Sequence, residues 1–296
     1  MDVRHNESWF KALTSSRAAI RTARWLAQHV PPSAAAGLGS AIGRWLTIAG
    51  GRTYSAIRAN QAQVRGLPLD DPSLDQAVIA VLRHAGQVYY DLFRQAFERH
   101  PMALTPRAAQ NLQAAIESGR GLLLVGAHLS NFDLGIQYVT SRQIPIQLLS
   151  LTEPTGGFQF MNALRANPLC EVTPVSQAAL RKAIQRLRAG GIVATGVDRP
   201  VPGQLEMLPF FGRPAPLPVG HIRLAMKTNA QVMAMWCEWS PQRGYLLHAG
   251  PLMDMEQPPL PPDEQVRHNA LRVLRVLEAA IARRPEQWLM FIPVWS

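Results

Sequence analysis

GLLLVGAHLSNFDLG, residues 121–135, decides how this chain is read. Gly121-Leu-Leu-Leu-Val125 is an apolar run of strand length, and it reads as a buried strand. A core strand has no use for the histidine that follows at 128, nor for the aspartate five residues later at 133. In open α/β sheets, however, ligands bind at the ends of strands. A histidine there takes a proton from a hydroxyl, and a carboxylate holds the imidazole tautomer and stabilises its charged form. The bare pattern His-x4-Asp is weak on its own. Its neighbours must support it.

Working outward, strands and helices alternate. A helix is expected near 106–118, ended by Gly119, and another over 134–141. Ile144–Leu151 reads as a strand, 177–189 as a helix stopped by Gly190-Gly191, and Ile192–Val197 as a second apolar strand. Residues 219–228 read as helix, 230–239 and 244–250 as strands, and about 263–283 as a last long helix. Upstream the pattern is helical: 8–30, stopped by Pro31-Pro32; about 33–49, stopped by Gly50-Gly51; then 53–65 and 73–99. The expectation is an α/β fold, a central mixed sheet flanked by helices, with a helical N-terminal portion over 1–105 and an α/β core over 106–296.

The second strand also ends in charge, at Asp198-Arg199. Pro200 equally suits a plain surface turn. Then comes LPFFGRPAPLP, residues 208–218, read as a rigid apolar loop in which Phe210 and Phe211 are either a core plug or the wall of an alkyl tunnel.

With 296 residues and 47% hydrophobic content the chain buries a sizeable core, and 17% charged residues argue against long disorder. The net charge is +10, and Lys occurs only at 11, 182 and 227. Arginine forks suit phosphate and carboxylate groups. The charge favours nucleic acid, an anionic membrane or acidic ligands without choosing among them. Cys170 and Cys237 are isolated, which speaks against a disulfide framework or zinc site and suits a reducing compartment. No metal cluster, no G-x-S-x-G elbow, no signal peptide and no run of 18 apolar residues is expected.

The ordered blocks GAHLSNFD (126–133), ALR (163–165), VDRP (197–200), PFFGRPAPLPVG (209–220) and PEQWLMF (285–291) together resemble the bacterial lysophospholipid-type acyltransferase family of the lipid A late (lauroyl/myristoyl) and phosphatidylinositol mannoside acyltransferases. The resemblance spans nearly the whole chain, Asn60 included. It implies an O-acyltransferase that moves a fatty acyl group from a thioester, on coenzyme A or acyl carrier protein, to a hydroxyl of a glycolipid or lysophospholipid. It implies no permanently bound cofactor and no metal. His128 matches the family's general base and Asp133 the acid of its motif. Glu206 falls close to a glutamate that pairs with the histidine in the mannoside-acylating branch, so either carboxylate is a candidate to orient the ring. Arg165 and Asp198 match further family positions. With Arg199, Asn131, Phe210 and Phe211 they form the expected substrate-binding set, the arginines on phosphates of the donor or of an anionic head group. Ser130, Phe132 and Asp133 stand where lipid A enzymes typically have Gly, Trp and Glu. The end of the chain, 291–296, is apolar where theirs is basic. The acceptor is therefore open among glycolipids and phospholipids.

The expected setting is the cytoplasmic face of the inner membrane, held peripherally by an anionic surface. The helix over 8–30 carries Arg17, Arg21 and Arg24 beside an apolar stripe and suits either that interface or packing on the catalytic lobe. Gly37–Gly43 lacks a preceding strand and reads as small-residue helix packing rather than a dinucleotide loop. Phe158, Phe160, Phe210, Phe211 and Met226 are candidates for the stop that sets acyl length. Two other classes compete: a lipid or thioester hydrolase using His128 and water, and a basic nucleic-acid-binding protein, which dispersed arginines disfavour.

Overall fold

The computed structural model describes residues 22, 25, 27–94, 102–151, 156–201 and 205–295. Most of the helix expected over 8–30 lies outside them. Three helices come first: α1 (Pro32–Ala49), α2 (Arg52–Arg65) and α3 (Ser73–Arg94). The core follows as β1 (Met102–Leu104), α4 (Pro106–Glu117), β2 (Leu122–Gly126), α5 (Phe132–Ser141), β3 (Ile146–Ser150), α6 (Gly156–Arg165), β4 (Cys170–Pro174), α7 (Gln177–Arg188) and β5 (Ile192–Gly196). It ends with β6 (Leu205–Phe210), β7 (Arg213–Pro218), α8 (Gly220–Thr228), β8 (Gln231–Ser240), β9 (Gly244–Met253), α9 (Pro262–Arg283) and a 3₁₀ turn at Pro285–Gln287.

A seven-stranded sheet runs β1-β9-β8-β2-β5-β3-β4. The strands from β8 to β4 are mutually parallel, and β9 is antiparallel to β8. The opening apolar run is β2, at its centre. Leu122 and Leu124 pack with α4, α5 and α6, and Leu123 and Val125 with α7, α8 and α9. Burial on both faces is why the run is continuous rather than alternating. The expected mixed sheet flanked by helices is observed.

The helical portion has its own core of Leu46, Ile57, Val78, Val81 and Leu82. A Cβ added at Gly39 would lie 2.2 Å from the Leu82 carbonyl oxygen, and one at Gly86 2.4 Å from that of Ala35. Glycine there lets α1 and α3 approach backbone to backbone, the small-residue packing expected of Gly37–Gly43. The division expected at 105/106 is crossed both ways. Strand β1 pairs with β9, and Leu289 packs into the helical core. The Asn60 amide donates to the Met290 and Ile292 carbonyls at 3.1 and 2.8 Å.

One expectation differs. Residues 205–218 form a hairpin, not a loop, and it turns on Phe211 and Gly212, at φ 50° and 74°. Its prolines 209, 214, 216 and 218 sit at alternate register positions, where the N–H of a two-residue hairpin points away from the partner strand. The intervening Leu208, Phe210, Ala215 and Leu217 are buried.

Candidate active site

The sheet register assembles the site. Gly126 at the end of β2 pairs with Gly196 at the end of β5. Two residues beyond each lie His128 and Asp198. His128 Nδ1 is 2.7 Å from Asp198 Oδ1, and the His128 main-chain N–H donates to Asp198 Oδ2 at 2.8 Å. The Trp288 indole N–H donates to the same oxygen at 2.8 Å. Asp198 is fully buried. Burial pushes its carboxyl up, but the His128 charge and the donors from the ring, Trp288 and the His128 backbone outweigh it and hold the carboxyl below its ordinary value. An ionised Asp198 only accepts, so the proton of a neutral His128 ring sits on Nδ1. That leaves the Nε2 lone pair, which has no hydrogen-bond partner among the described residues.

Neither carboxylate expected on the ring is there. Asp133, in the first turn of α5, takes Arg165 Nε at 2.5 Å and Nη2 at 3.3 Å in a two-pronged pair. Glu206, on β6, takes Arg223 of α8 at 3.2 Å. The reason lies in the α5 helix: Asp133, its second residue, is taken up by Arg165 of α6, whereas the in-register neighbour of β2 delivers Asp198 straight to the ring. Phe132 stands edge-on to His128 with centroids 5.2 Å apart, and the Arg165 guanidinium lies over the Phe132 ring, 5.4 Å from its centroid.

Arg165 and Arg199 both line the cavity that His128 borders. Burial works against the Arg165 charge, yet the Asp133 carboxylate more than restores it. Arg199 is depressed by burial and by Arg165, with Asp198 opposing. Tyr89, which feels these charges, is pushed up to about 12 by burial and then by Asp133.

The remaining expected residues serve the scaffold. The Asn131 side chain caps α5 by accepting from Leu134 N–H at 3.2 Å and donates to the Val88 carbonyl at 3.1 Å. Phe210 is fully buried, stacked on Trp295 at 5.6 Å and edge-on to Trp288 at 6.2 Å. With Phe211 it is the core-plug alternative: it buttresses the Trp288 that holds Asp198, and neither ring lines the cavity. Met226 does not line it either, and the side chains of Phe158 and Phe160 lie outside the described residues. Sequence reasoning gave Trp288 no role of its own; the only trace was its place in the block 285–291.

The cavity holds about 2150 Å³. It runs from the ends of β2 and β5 beneath α1 and α3, and most of its wall is apolar, including Leu38, Ile42, Leu82, Leu124, Ile136 and Leu148. Both cysteines are buried, and burial pushes Cys170 up to about 11 and Cys237 to about 12, so neither is a ready nucleophile. Among the described residues no cluster of His, Cys, Asp and Glu is placed to hold a metal, and no helix is long and apolar enough to cross a membrane.

The profile of the family described as bacterial lipid A biosynthesis acyltransferase matches residues 14–296. The chain belongs to that family. Within the lipid A biosynthesis acyltransferase family it is similar to a phosphatidylinositol mannoside acyltransferase of Mycobacterium tuberculosis (strain CDC 1551 / Oshkosh), at 25% identity over 250 residues, 81% of this chain and 76% of the relative. It is also similar to a phosphatidylinositol mannoside acyltransferase of Mycolicibacterium smegmatis, at 23% identity over 277 residues, 91% and 88% of the two chains. The protein is an acyltransferase. An imidazole with one nitrogen bound to a carboxylate and the other left open beside an apolar cavity is suited to that chemistry.

Proposed function

We propose that this acyltransferase moves a fatty acyl group from a thioester, on coenzyme A or acyl carrier protein, to a hydroxyl of an anionic glycolipid, with His128 as general base. The observation that carries this reading is the Nδ1–Asp198 hydrogen bond, which leaves Nε2 as the basic nitrogen. The acceptor oxygen attacks the thioester carbon as Nε2 takes its proton, an effect worth about 10²–10⁴-fold. A C–O bond forms and the carbonyl oxygen becomes negative. The intermediate then collapses, the C–S bond breaks, and the leaving thiolate takes the proton back from His128. Buried Asp198 stabilises the transient imidazolium. No enzyme-bound acyl group is needed.

The acyl chain occupies the apolar wall of the cavity, and Arg165 and Arg199 bind a phosphate at its polar end. The acceptor class is supported by what the named relatives act on, a phosphatidylinositol mannoside. The protein works peripherally on the anionic cytoplasmic face of the inner membrane. An exposed apolar stripe on α1 (Leu38, Ile42, Trp45 and Ile48) and the net charge of +10 support this.

The test is to offer acyl-CoA and acyl carrier protein thioesters with and without phosphatidylinositol mannoside, using wild type and His128→Ala. Acceptor-dependent acylated product from wild type and none from a folded His128→Ala is expected. Near wild-type transfer by that variant would overturn the mechanism. Free fatty acid at the same rate with and without acceptor would replace transfer by hydrolysis.

A further inference from the structure

On α3, Leu82, Ala85, Tyr89 and Phe93 follow one another at three- and four-residue spacing, and all four line the cavity. That spacing makes one helix face, so Tyr89 is turned toward the void. It is half-buried, and its ring stacks with Phe93 at 6.2 Å between centroids. Its hydroxyl has no hydrogen-bond partner among the described residues, nor is it one of the polar atoms sealed inside the protein. A polar tip on an apolar ring, open to the cavity and unpartnered, is a group placed for a ligand.

Three charges act on this phenol: Asp133, Arg165 and Arg199. Both arginines line the same cavity. Burial depresses Arg199 most, and Arg165 depresses it further. Like charges facing one void repel, and an anion between them turns the repulsion into attraction. Burial, then Asp133, pushes the Tyr89 hydroxyl up to about 12, so it keeps its proton at neutral pH. It is there as a donor and not as a base. Two guanidinium forks and a phenol O–H suit a phosphate, whose oxygens accept several hydrogen bonds.

The position of the group distinguishes whose phosphate it is. Phe132 touches both the base and the arginine, with its centroid 5.2 Å from the His128 ring and 5.4 Å from the Arg165 guanidinium. One aromatic ring therefore separates the two. A thioester donor carries its phosphate at the far end of the pantetheine arm, whereas an anionic glycolipid carries it beside the sugar that bears the hydroxyl. The short span fits the acceptor.

We propose that Tyr89 is a further substrate-binding residue, its hydroxyl donating to the phosphate of the lipid acceptor alongside Arg165 and Arg199. This rests on the acyl-transfer reading above.

Tyr89→Phe removes the hydroxyl and keeps the ring on Phe93. For wild type and variant, phosphatidylinositol mannoside is varied at saturating thioester, thioester is varied at saturating acceptor, and the melting temperature is taken. The acceptor KM is expected to rise by about tenfold or more, with kcat and the thioester KM within about twofold and the melting temperature unchanged. Inorganic phosphate supplies a readout that needs no variant: in wild type it is expected to compete with the acceptor and not with the thioester. An acceptor KM within about twofold of wild type would overturn the inference. So would a rise confined to the thioester KM, a fall in kcat with both KM values kept, or phosphate that competes with the thioester. Absence of transfer by wild type would instead overturn the acyl-transfer reading, and this inference with it.

Discussion

His128 and Asp198 lie 70 positions apart in the chain and 2.7 Å apart in space, joined because β2 and β5 are parallel neighbours in register. Asp198→Asn keeps the volume but lets Nδ1 lose its proton preference. Transfer is expected to fall by about 10²–10⁴-fold. Glu206→Gln, by contrast, should leave kcat within about twofold, since among the described residues Glu206 pairs with Arg223 and not with His128. Steady-state kinetics of the two variants distinguishes the carboxylates. Equal losses would return Glu206 to the ring.

Asp133→Asn should act differently from either. It leaves Arg165, a half-buried cation, without its two-pronged partner. The expected result is a raised KM for the phosphate-bearing substrate and a stability loss of about 2 kcal/mol, larger than the change in kcat. Denaturant melts alongside kinetics check both parts.

The Trp288 indole N–H is one of three donors on Asp198. Trp288→Phe keeps most of the ring packing and removes that donor. A loss of about 2 kcal/mol in unfolding free energy is expected, measured by urea titration, together with a fall of about tenfold in transfer.

Two buried histidines set an acid limit on stability. Burial lowers His84 and His221 to about 4, the Pro218 carbonyl partly opposing it at His221. The unfolded chain binds protons on both near 6.5, so it gains protons before the native state does. Stability is therefore full above about pH 6.5 and falls as pH drops toward 4, by about 3 kcal/mol per histidine. Asp198 adds a loss lower still, as pH falls through its depressed value. Melting temperatures across pH 4–7 should show the slope, and His84→Gln should flatten it. An unchanged profile would contradict the burial of His84.

Glycines of α1 separate packing from propensity. Gly39→Ala would place Cβ 2.2 Å from the Leu82 carbonyl oxygen, whereas nothing lies within 4 Å of a Cβ at Gly37. Gly37→Ala should stabilise by about 0.5–1 kcal/mol and Gly39→Ala should destabilise by about 2 kcal/mol or more. Thermal melts of both variants check the pair. The exposed Trp45 of the same helix supports a second measurement. Trp45→Glu should reduce flotation with phosphatidylglycerol vesicles, with activity on detergent-dispersed acceptor kept. Unchanged flotation would remove α1 from the membrane contact.

Most elements were readable because their signals are local. Periodicity and glycine or proline stops placed α1, α2, α7 and α9 within a residue or two. The hairpin 205–218 was not, because proline reads as a strand breaker unless the register is known. The short strands β1 and β4 depend on neighbours for their pairing. In the site, His128 stood out as a charge-bearing residue at the end of an apolar run. Its partner did not: Asp133 was nearer in sequence, and nothing local ranks a carboxylate 70 positions away above one five positions away.

The sequence by itself determined that an apolar strand ends in an imidazole, that a second does so in an aspartate, and that the blocks carrying them belong together in an acyltransferase. Only the tertiary structure decided which acid meets the ring, that Asp133 is spent on Arg165, and that the Trp288 holding Asp198 comes from the far end of the chain. The physical reason is that hydrophobic period and backbone stops act over a few residues. A hydrogen bond forms only where strand register and burial bring two distant groups within 3 Å.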